Sequence, residues 1–410
     1  MTESRRTTAG NTKTFLLNKQ PEQLADGDRI KVVVVGSAPK GVAVAIAVLF
    51  KFEKFRSGDF NLENESRGRP ETKVDNDELE AVVEADISQI TYKLVARFNV
   101  TNPIILDHLK QIGKPQRLAS ELILIDANED LAKAEAEDIS HAAVYLGDPK
   151  IIGTKDYACA RDAAVCVITV GNQSHEHQQP VDHLDHNLRI FKDIIPNVCK
   201  YAPNSVLLVL SRPVDILSYV AMKLSGFPPN RVIGIGTFQD SCRFQYFVAQ
   251  KLGISASMIQ ALIIGESGPA SVPVWSTVAC MGLPLKEINK KIGTKEDPES
   301  WGDLHTKVID TDNNLIARKG YHSWGMGICA SEVVDAIVRN TCACFTVSTY
   351  MKGCRHGMEK DIFMSLPCVV GRNGVQSVIR LPYTLREQEL MTVSCQRIYE
   401  TQKSILDQIE

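Results

Sequence analysis

A glycine-containing turn near residue 36 has the spacing of a phosphate-binding loop. Gly36 and Gly41 flank Ala38 and Pro39 in the stretch IKVVVVGSAPKG. In a dinucleotide-binding turn, glycines permit the tight turn, the close approach of the backbone to the pyrophosphate and the packing of helix on strand. The first and third positions are glycine, whereas the second is Ala38, and Pro39 has no N–H to donate. This pattern predicts either a weakened dinucleotide-binding turn or a purely structural turn from strand to helix.

Asp126 is a second candidate for nucleotide binding. It follows the apolar run 122–125. In a dinucleotide fold, an acid at the end of the second strand binds the ribose hydroxyls about 20 residues past the turn. Asp126 lies much further along the chain, and the distance becomes normal only if the intervening segment is an insertion. The alternative is that Asp126 is the N-cap of the next helix.

Two further sets of polar residues have spacings that chemistry could use. Asp240 and Arg243, in DSCRF, are three apart, which places a carboxylate and a guanidinium on one turn of a helix. HxH and HxxH spacings, which loosely resemble metal ligands, occur in a short segment that contains His175, His177, Asp182, His183, Asp185 and His186. Histidines on a loop without a fixed scaffold are more often ordinary surface residues, so no metal site is assigned.

The elements that must position these residues alternate between apolar strands and helices. The continuous β-branched run at 31–35 is typical of a parallel strand buried on both faces. The apolar run 42–50 predicts a helix directly after the turn. Further strands are predicted at 122–125, at 164–170 with Gly171 at its end, and at 206–210. This alternation predicts an α/β fold with a doubly wound parallel sheet of the Rossmann type.

The pattern changes beyond Gly236, where an α+β region is predicted. Helices are predicted at 241–252, 301–318 and 329–339. Asn373 and Gly374 predict the turn of a hairpin within 368–379. Thr384 and Glu387 are spaced as a capping box that opens a C-terminal helix.

The predicted organisation is a flexible N-terminal arm, a nucleotide-binding domain and a substrate domain. The arm covers 1–29, the Rossmann domain 30–235 with an insertion at about 52–116, and the substrate domain 236–410. The insertion begins with a polar stretch and continues with two helical patterns. The insertion is either a partner-binding segment or an added loop without a function of its own, and the second interpretation is favoured.

Composition argues against several classes of protein. The net charge of −3 and the scattered basic residues argue against nucleic acid as the main partner. The first residues lack the apolar core of a signal peptide, and no apolar run reaches the roughly 18 residues needed to span a membrane. The eleven cysteines have no paired spacing, which indicates reduced thiols. A cytoplasmic protein without membrane contact is expected.

Several longer stretches resemble the animal L-lactate dehydrogenase family. They are FKDIIPNVCKYAPN, PVDILSYVAMKLSGFPPNRVIGIG, VPVWS, GYHSW and DIFMSLPCVVGRNGV. The resemblance covers nearly the whole chain apart from the arm and the insertion. It implies an NAD-binding domain, a substrate domain, a homotetramer and the interconversion of L-lactate and pyruvate. Because a fold does not determine a function, the chemistry must be judged position by position.

Hydride transfer between a 2-hydroxy acid and nicotinamide needs four kinds of group. They are a base of near-neutral pKa, a guanidinium that binds the substrate carboxylate, a cation that polarises the carbonyl and an amide beside the ring. The resemblance implies that Asp240 is the aspartate that orients the base. It also implies that Arg243 binds the substrate carboxylate.

The other positions of the family's site are altered. The histidine of the family's GEHG motif is Ser267, the polarising loop arginine is Pro180, and an earlier cofactor-contacting arginine is Gln173. The asparagine of SNPVD is Arg212, and a pocket threonine of GYTSW is His322. A serine hydroxyl cannot accept a proton near pH 7 without a base of its own.

These changes predict a catalytically weak or inactive family member that retains a weakened NAD site and acts through binding or assembly. Losing a general base lowers a rate by about 10²–10⁴, and losing an electrostatic stabiliser by about 10²–10³. Without an imidazole, Asp240 is expected to pair with Arg212 or Arg243. The alternative is an active NAD-dependent L-lactate (2-hydroxyacid) dehydrogenase, with His322 as a displaced base and Arg212 as the replacement cation.

Overall fold

The computed structural model describes residues 30–36, 39–49, 118–142, 148–171, 180–353 and 361–409. For residues 39–40 and 180–183 it describes the backbone only. The predicted N-terminal arm and the whole predicted insertion, with its two helical patterns, lie outside the described residues. No helix of the described ranges combines the length and the apolar character that a membrane span requires.

The strands form two sheets. Their bounds are β1 (Lys31–Val35), β2 (Glu121–Ile125), β3 (Lys150–Thr154), β4 (Val165–Ile168), β5 (Val206–Val209), β6 (Val232–Gly234), β7 (Ile259–Gln260), β8 (Ile263–Gly265), β9 (Ser271–Pro273), β10 (Ala279–Cys280), β11 (Leu283–Pro284), β12 (Ala343–Met351), β13 (Ile362–Gly371) and β14 (Gly374–Val378). The large sheet has the order β3-β2-β1-β4-β5-β6-β12-β13-β8-β9, with β14 paired to β13. The small sheet has the order β11-β10-β7.

Helices connect and cover these strands. Their bounds are α1 (Pro39–Leu49), α2 (Glu129–Ser140), α3 (Pro180–Tyr201), α4 (Val214–Ser225), α5 (Phe238–Leu252), α6 (Leu285–Ile288), α7 (Asp303–Lys319), α8 (Trp324–Arg339), α9 (Leu385–Lys403) and α10 (Leu406–Ile409). Short 3₁₀ turns lie at Tyr157–Ala160, Pro229–Arg231, Ala256–Met258 and Trp275–Thr277.

Strand β1 lies at the centre of the parallel half of the large sheet. It pairs in parallel with β2 and β4, with Val33 opposite both Ile123 and Cys166. Val32 and Val33 are fully buried, as a strand covered on both faces requires. The six parallel strands in the order 3-2-1-4-5-6 confirm the predicted doubly wound Rossmann-type sheet.

The second half of the chain continues the same sheet in antiparallel fashion. Ser348 of β12 lies opposite Gly234 of β6, and β12 pairs with β13 along its full length. The hairpin predicted around Asn373 is confirmed as β13–β14. The capping box at Thr384 is also confirmed, because its hydroxyl accepts from the amide of Glu387 and the Glu387 carboxylate accepts in return.

One helix begins earlier than the sequence predicts. The sequence predicts that α8 starts at residue 329, whereas the helix begins at Trp324. Gly325 and Gly327 lower the helical signal of its first turns. Gly327 is required by packing, since a Cβ there would lie 2.6 Å from the carbonyl oxygen of Ala43 in α1. The close contact between these two helices therefore explains the discrepancy.

A second, smaller hydrophobic core lies between α5 and α7. Phe244 packs edge-on against Trp275, with ring centroids 4.8 Å apart. Leu304 and Val308 of α7 are buried in the same cluster. This packing fixes α7 against α5 and brings the next residue of its buried stripe, Asp312, towards Arg243.

Candidate active site

The turn after β1 is held by close backbone contacts. Gly36 has a φ of +109°, and its N–H donates to the carbonyl of Ile125 at 2.7 Å. The Thr169 hydroxyl donates to the carbonyls of Val35 and Gly36, both at 3.0 Å. A Cβ on Gly41 would lie only 1.8 Å from the Gly36 carbonyl oxygen. Both glycines are thus required by the turn, and this strand–turn–helix fits a dinucleotide at the start of α1.

Asp126 follows β2, next to the Gly36 turn. Its Oδ1 accepts a hydrogen bond from the amide of Asn128 at 2.9 Å. Asn128, not Asp126, is the N-cap of α2, since its side chain accepts from the amide of Leu131 at 3.2 Å. The N-cap alternative for Asp126 is therefore wrong, because the carboxylate forms a turn that leads into the cap. Its place at the carboxyl end of β2 suits the nucleotide-binding assignment.

Several predicted site residues lie where the structure describes little. Ala38, Gln173, His175 and His177 are outside the described residues. Pro180 is the first residue of α3, where only the backbone is described. Gly171 follows β4 with a φ of +128°. Within the described ranges, no group of three metal-binding side chains is close enough to hold an ion.

Arg212 follows β5 at the same edge of the sheet as the Gly36 turn. Its peptide bond to Pro213 is cis, and its carbonyl accepts from Nδ2 of Asn187 at 2.8 Å. The hydrogen bond from Asn187 holds the backbone just before α4. The guanidinium Nη2 donates to Oδ2 of Asp312, and 45% of the arginine side chain remains exposed.

Arg243 is surrounded by acceptors on α5 and α7. Its Nη1 donates to Oδ1 of Asp240 at 3.0 Å, and its Nη2 donates to Oδ1 of Asp312. With its amide in the orientation that satisfies its neighbours, the Gln239 oxygen also accepts from Nη2 at 3.1 Å. Arg243 is 11% exposed and Asp312 is 9% exposed, so the ion pair is largely shielded from water.

The two acids of this cluster differ in the direction of their pKa shifts. Burial alone would raise the pKa of Asp312, but the charges of Arg212 and Arg243 hold that pKa well below its usual range. Burial dominates at Asp240 and raises its pKa, although Arg243 and Arg212 oppose the shift. Asp312 is thus the more firmly ionised partner of the arginines.

His322 belongs to the same cluster. Its side chain is 6% exposed, and Nε2 lies 3.9 Å from Oδ1 of Asp312. This separation is too long for a hydrogen bond but short enough for electrostatic interaction. The structure therefore brings His322 and Arg212, the two residues of the rearranged-site alternative, to one carboxylate.

Ser267 occupies the loop between β8 and β9, in a different set of contacts. Its amide donates to Oδ2 of Asp215 at 2.8 Å, and its hydroxyl donates to the Gly236 carbonyl at 3.4 Å. The Ser348 hydroxyl donates to the other Asp215 oxygen at 2.5 Å. Burial raises the pKa of Asp215 to about 7 despite these hydrogen bonds. The hydroxyl of Ser267 therefore has a carbonyl partner and not a base.

Two acids in this region received no role from the sequence. Asp312 continues the buried stripe of Leu304 and Val308 at four-residue spacing. A single acid in an apolar stripe of a helix indicates that the acid has a buried partner, and this was its signal in the sequence. Asp215 lies in the buried first turn of α4. The sequence signal for Asp215 was its place as the last residue of the altered motif SRPVD at 211–215.

A Rossmann-type sheet, a glycine turn before α1 and a charged cluster near the carboxyl ends of the strands are together typical of dinucleotide-binding proteins. Residues 107–234 match lactate/malate dehydrogenase, NAD binding domain, and residues 237–408 match lactate/malate dehydrogenase, alpha/beta C-terminal domain. The first match begins after α1, but the parallel pairing of β1 with β2 and β4 places β1 in the same sheet.

Individual relatives agree with the family match. The chain is 41% identical over 288 residues to L-lactate dehydrogenase A-like 6A of Homo sapiens, which covers 70% of this chain and 86% of the relative. The L-lactate dehydrogenase A chains of Danio rerio and Cyprinus carpio match with the same identity and coverage. This chain belongs to the L-lactate dehydrogenase family, and its first matched domain is of the NAD-binding type.

Proposed function

We propose that this protein is an L-lactate dehydrogenase-like protein that binds NAD at a weakened site and does not interconvert lactate and pyruvate efficiently. The observation that carries the proposal is the absence of a base at Ser267. Its hydroxyl contacts the Gly236 carbonyl, while Asp240, the proposed orienting carboxylate, pairs with Arg243. A serine in these contacts has no group that could take its proton.

The proposed cofactor contacts lie at the carboxyl ends of adjacent parallel strands. Gly36, Gly41 and Asp126 support NAD binding, because the turn and the acid lie at adjacent strand ends. Ala38 and Gln173 weaken it, since one replaces a turn glycine and the other replaces a cation. When bound, NAD would supply the hydride acceptor, and the residues of this chain would only position it.

Assembly, location and domain boundaries complete the proposal. We assign a Rossmann domain at 30–235 and a substrate domain at 236–410, and we propose that the protein forms a homotetramer. The family resemblance supports these assignments. A cytoplasmic location is supported by the cysteines, since the ten within the described residues are all free. A 2-hydroxy or 2-oxo acid is the proposed ligand class if the site retains activity.

The direct test is the rate of NADH oxidation with pyruvate by the unmodified protein, beside an active family member under the same conditions. NADH binding measured by calorimetry shows that the preparation is folded and competent. We expect a turnover far below that of the active family member, or none. A turnover in the ordinary enzyme range of about 1–10³ s⁻¹ would overturn the proposal.

A second candidate function is an active dehydrogenase with a rearranged site. The observation that favours it is the 3.9 Å separation of His322 Nε2 from Asp312 Oδ1, since a carboxylate is the usual partner of a catalytic imidazole. In that case His322 takes the proton and Arg212 polarises the carbonyl. If the unmodified protein turns over, His322→Ala should lower kcat by about 10²–10⁴. An unchanged kcat in that variant would exclude His322 as the base.

A further inference from the structure

Three of the five N–H donors of Arg243 are engaged by groups of this chain, including both N–H groups of Nη2. Nη1 donates to Asp240 at 3.0 Å, whereas Nη2 donates to Asp312 and to the Gln239 oxygen. A substrate carboxylate bound in bidentate fashion needs two parallel donors of one guanidinium. An incoming carboxylate would therefore have to displace an internal acceptor.

The Asp312 carboxylate is held in the manner of a bound anion. One oxygen accepts from Arg243 and the other accepts from Arg212, so the carboxylate bridges two guanidiniums. Its side chain comes from α7, whereas the arginines lie on α5 and after β5. An acid from a separate helix thus reaches the group that the family resemblance assigns to the substrate.

We propose that Asp312 is a built-in occupant of the substrate-carboxylate site and the specificity-determining residue that excludes small monocarboxylates such as lactate and pyruvate. The inference rests on the proposed function, because it takes Arg243 as the carboxylate-binding residue. A free carboxylate entering the cluster meets the negative charge of Asp312 at the position where it would itself have to bind. Like charges at such short range repel strongly in a shielded site.

Removing the Asp312 carboxylate should convert the cluster into an anion site. In Asp312→Ala, the largely buried Arg243 loses its principal counter-ion, and such a loss strongly destabilises a shielded pair. The space left behind has the size and charge preference of formate or acetate. Arg212 is 45% exposed, so small anions can reach this space along it.

The experiment compares thermal unfolding of the unmodified protein, Asp312→Ala and Asp312→Asn in formate or acetate and in chloride at equal ionic strength. Asp310→Ala is the matched control, since Asp310 lies on the same helix and is exposed. Asp312→Ala should have a lower Tm in chloride, and formate or acetate should restore it saturably. The unmodified protein and Asp310→Ala should show no difference between the salts.

A second measurement uses calorimetric titration with oxamate, an unreactive isostere of pyruvate, with and without NADH. Asp312→Ala and the isosteric Asp312→Asn should bind oxamate at least about tenfold more tightly than the unmodified protein, a difference of about 1.4 kcal/mol. Asp312→Asn keeps the measurement available if the alanine variant does not fold. Oxamate binding that is equal in all proteins would overturn the inference, as would a lack of carboxylate-specific stabilisation in Asp312→Ala.

The two proposals fail in different ways. Unfolding in acetate requires neither NADH nor turnover. An unmodified protein that binds no NADH, together with acetate-dependent recovery of Asp312→Ala, would overturn the proposed NAD binding alone. Efficient NADH oxidation with pyruvate would overturn both proposals, because Asp312 would then not exclude pyruvate. An inactive protein whose Asp312→Ala variant shows no carboxylate dependence would overturn only the proposal that Asp312 occupies the substrate-carboxylate site.

Discussion

The carboxylate of Asp240 and the guanidinium of Arg243 face each other across one turn of α5, with Oδ1 and Nη1 3.0 Å apart. Each would need a different partner in a lactate dehydrogenase site: an imidazole for Asp240 and a substrate carboxylate for Arg243. Their mutual pairing, which the altered GESG motif led us to expect, leaves the ion pair without a reacting group. This relationship has consequences that mutagenesis can measure.

Rebuilding the missing groups together should restore more activity than rebuilding any one of them. Ser267→His alone should restore little, because Pro180 supplies no cation and Arg212 fills the place of the amide. Ser267→His with Pro180→Arg and Arg212→Asn should exceed every single variant, since such groups act as a unit. The measurement is kcat/KM for pyruvate with NADH.

The reconstructed protein also tests the role of Asp312. Adding Asp312→Ala to the triple variant should lower the KM for pyruvate, because it frees the donors of Arg243. Asp310→Ala in the same background is the control.

A single Ser267→His variant as active as the triple variant would contradict the prediction that the three rebuilt groups act together.

NADH should bind detectably, but more weakly than in active family members assayed in parallel. Ala38→Gly should tighten binding a few-fold, by about 0.5–1.4 kcal/mol, because it lets the backbone approach the pyrophosphate more closely. Calorimetry measures both dissociation constants. The absence of NADH binding before and after this change would make the Rossmann half purely structural.

Asp215 should make stability depend on pH between its ordinary pKa of 3.8 and its raised pKa of about 7. In this window the folded protein keeps a proton that the unfolded chain has lost, so stability falls as pH rises. The slope is about 1.4 kcal/mol per pH unit for one group. Asp215→Asn cannot ionise and should show a flatter profile.

Urea unfolding across this pH range measures the effect of Asp215. Glu266 and Asp240 also have raised pKa values and act on Asp215 through their charges. Both remain in the variant, so the difference between the two profiles reports the titration that Asp215 adds. The exposed Asp310→Asn serves as the control. Parallel profiles for Asp215→Asn and the unmodified protein would show that Asp215 has no raised pKa.

The predicted insertion should be dispensable for folding. Strands β1 and β2 pair directly in parallel, and α1 packs against both of them. Replacing 52–116 by a short connection should therefore leave a folded protein, provided that the fully buried Leu118 and Ala119 are kept. Thermal melting followed by circular dichroism measures this. Aggregation or a non-cooperative melt would show that the insertion completes a core.

The chain should associate with itself. Trp324 and Ile328 lie four apart on α8 and are 54% and 58% exposed, which leaves an apolar strip on one helix face. We expect a homo-oligomer by light scattering at micromolar concentration, and Ile328→Glu should shift it to smaller species. A clean monomer of the unmodified protein would contradict this prediction.

The local elements of this fold could be predicted from the sequence because their signals are short in range. The β-branched run of β1, the Asn373–Gly374 hairpin and the Thr384 capping box each depend on neighbouring residues. The altered chemistry at Ser267 was visible as well, because a motif records the type of each side chain.

The partners of the charged side chains were decided only by the tertiary structure. Arg212 and Arg243 lie 100 and 69 residues from Asp312 in sequence. Arg243 meets Asp312 because Leu304 and Val308 pack α7 against α5, and Arg212 reaches the same carboxylate from the segment after β5. The pKa direction of each acid then depends on burial and on these distant charges, which no local pattern records. Sequence therefore determined which groups are present at the site, and tertiary packing determined that Asp312 binds the arginines.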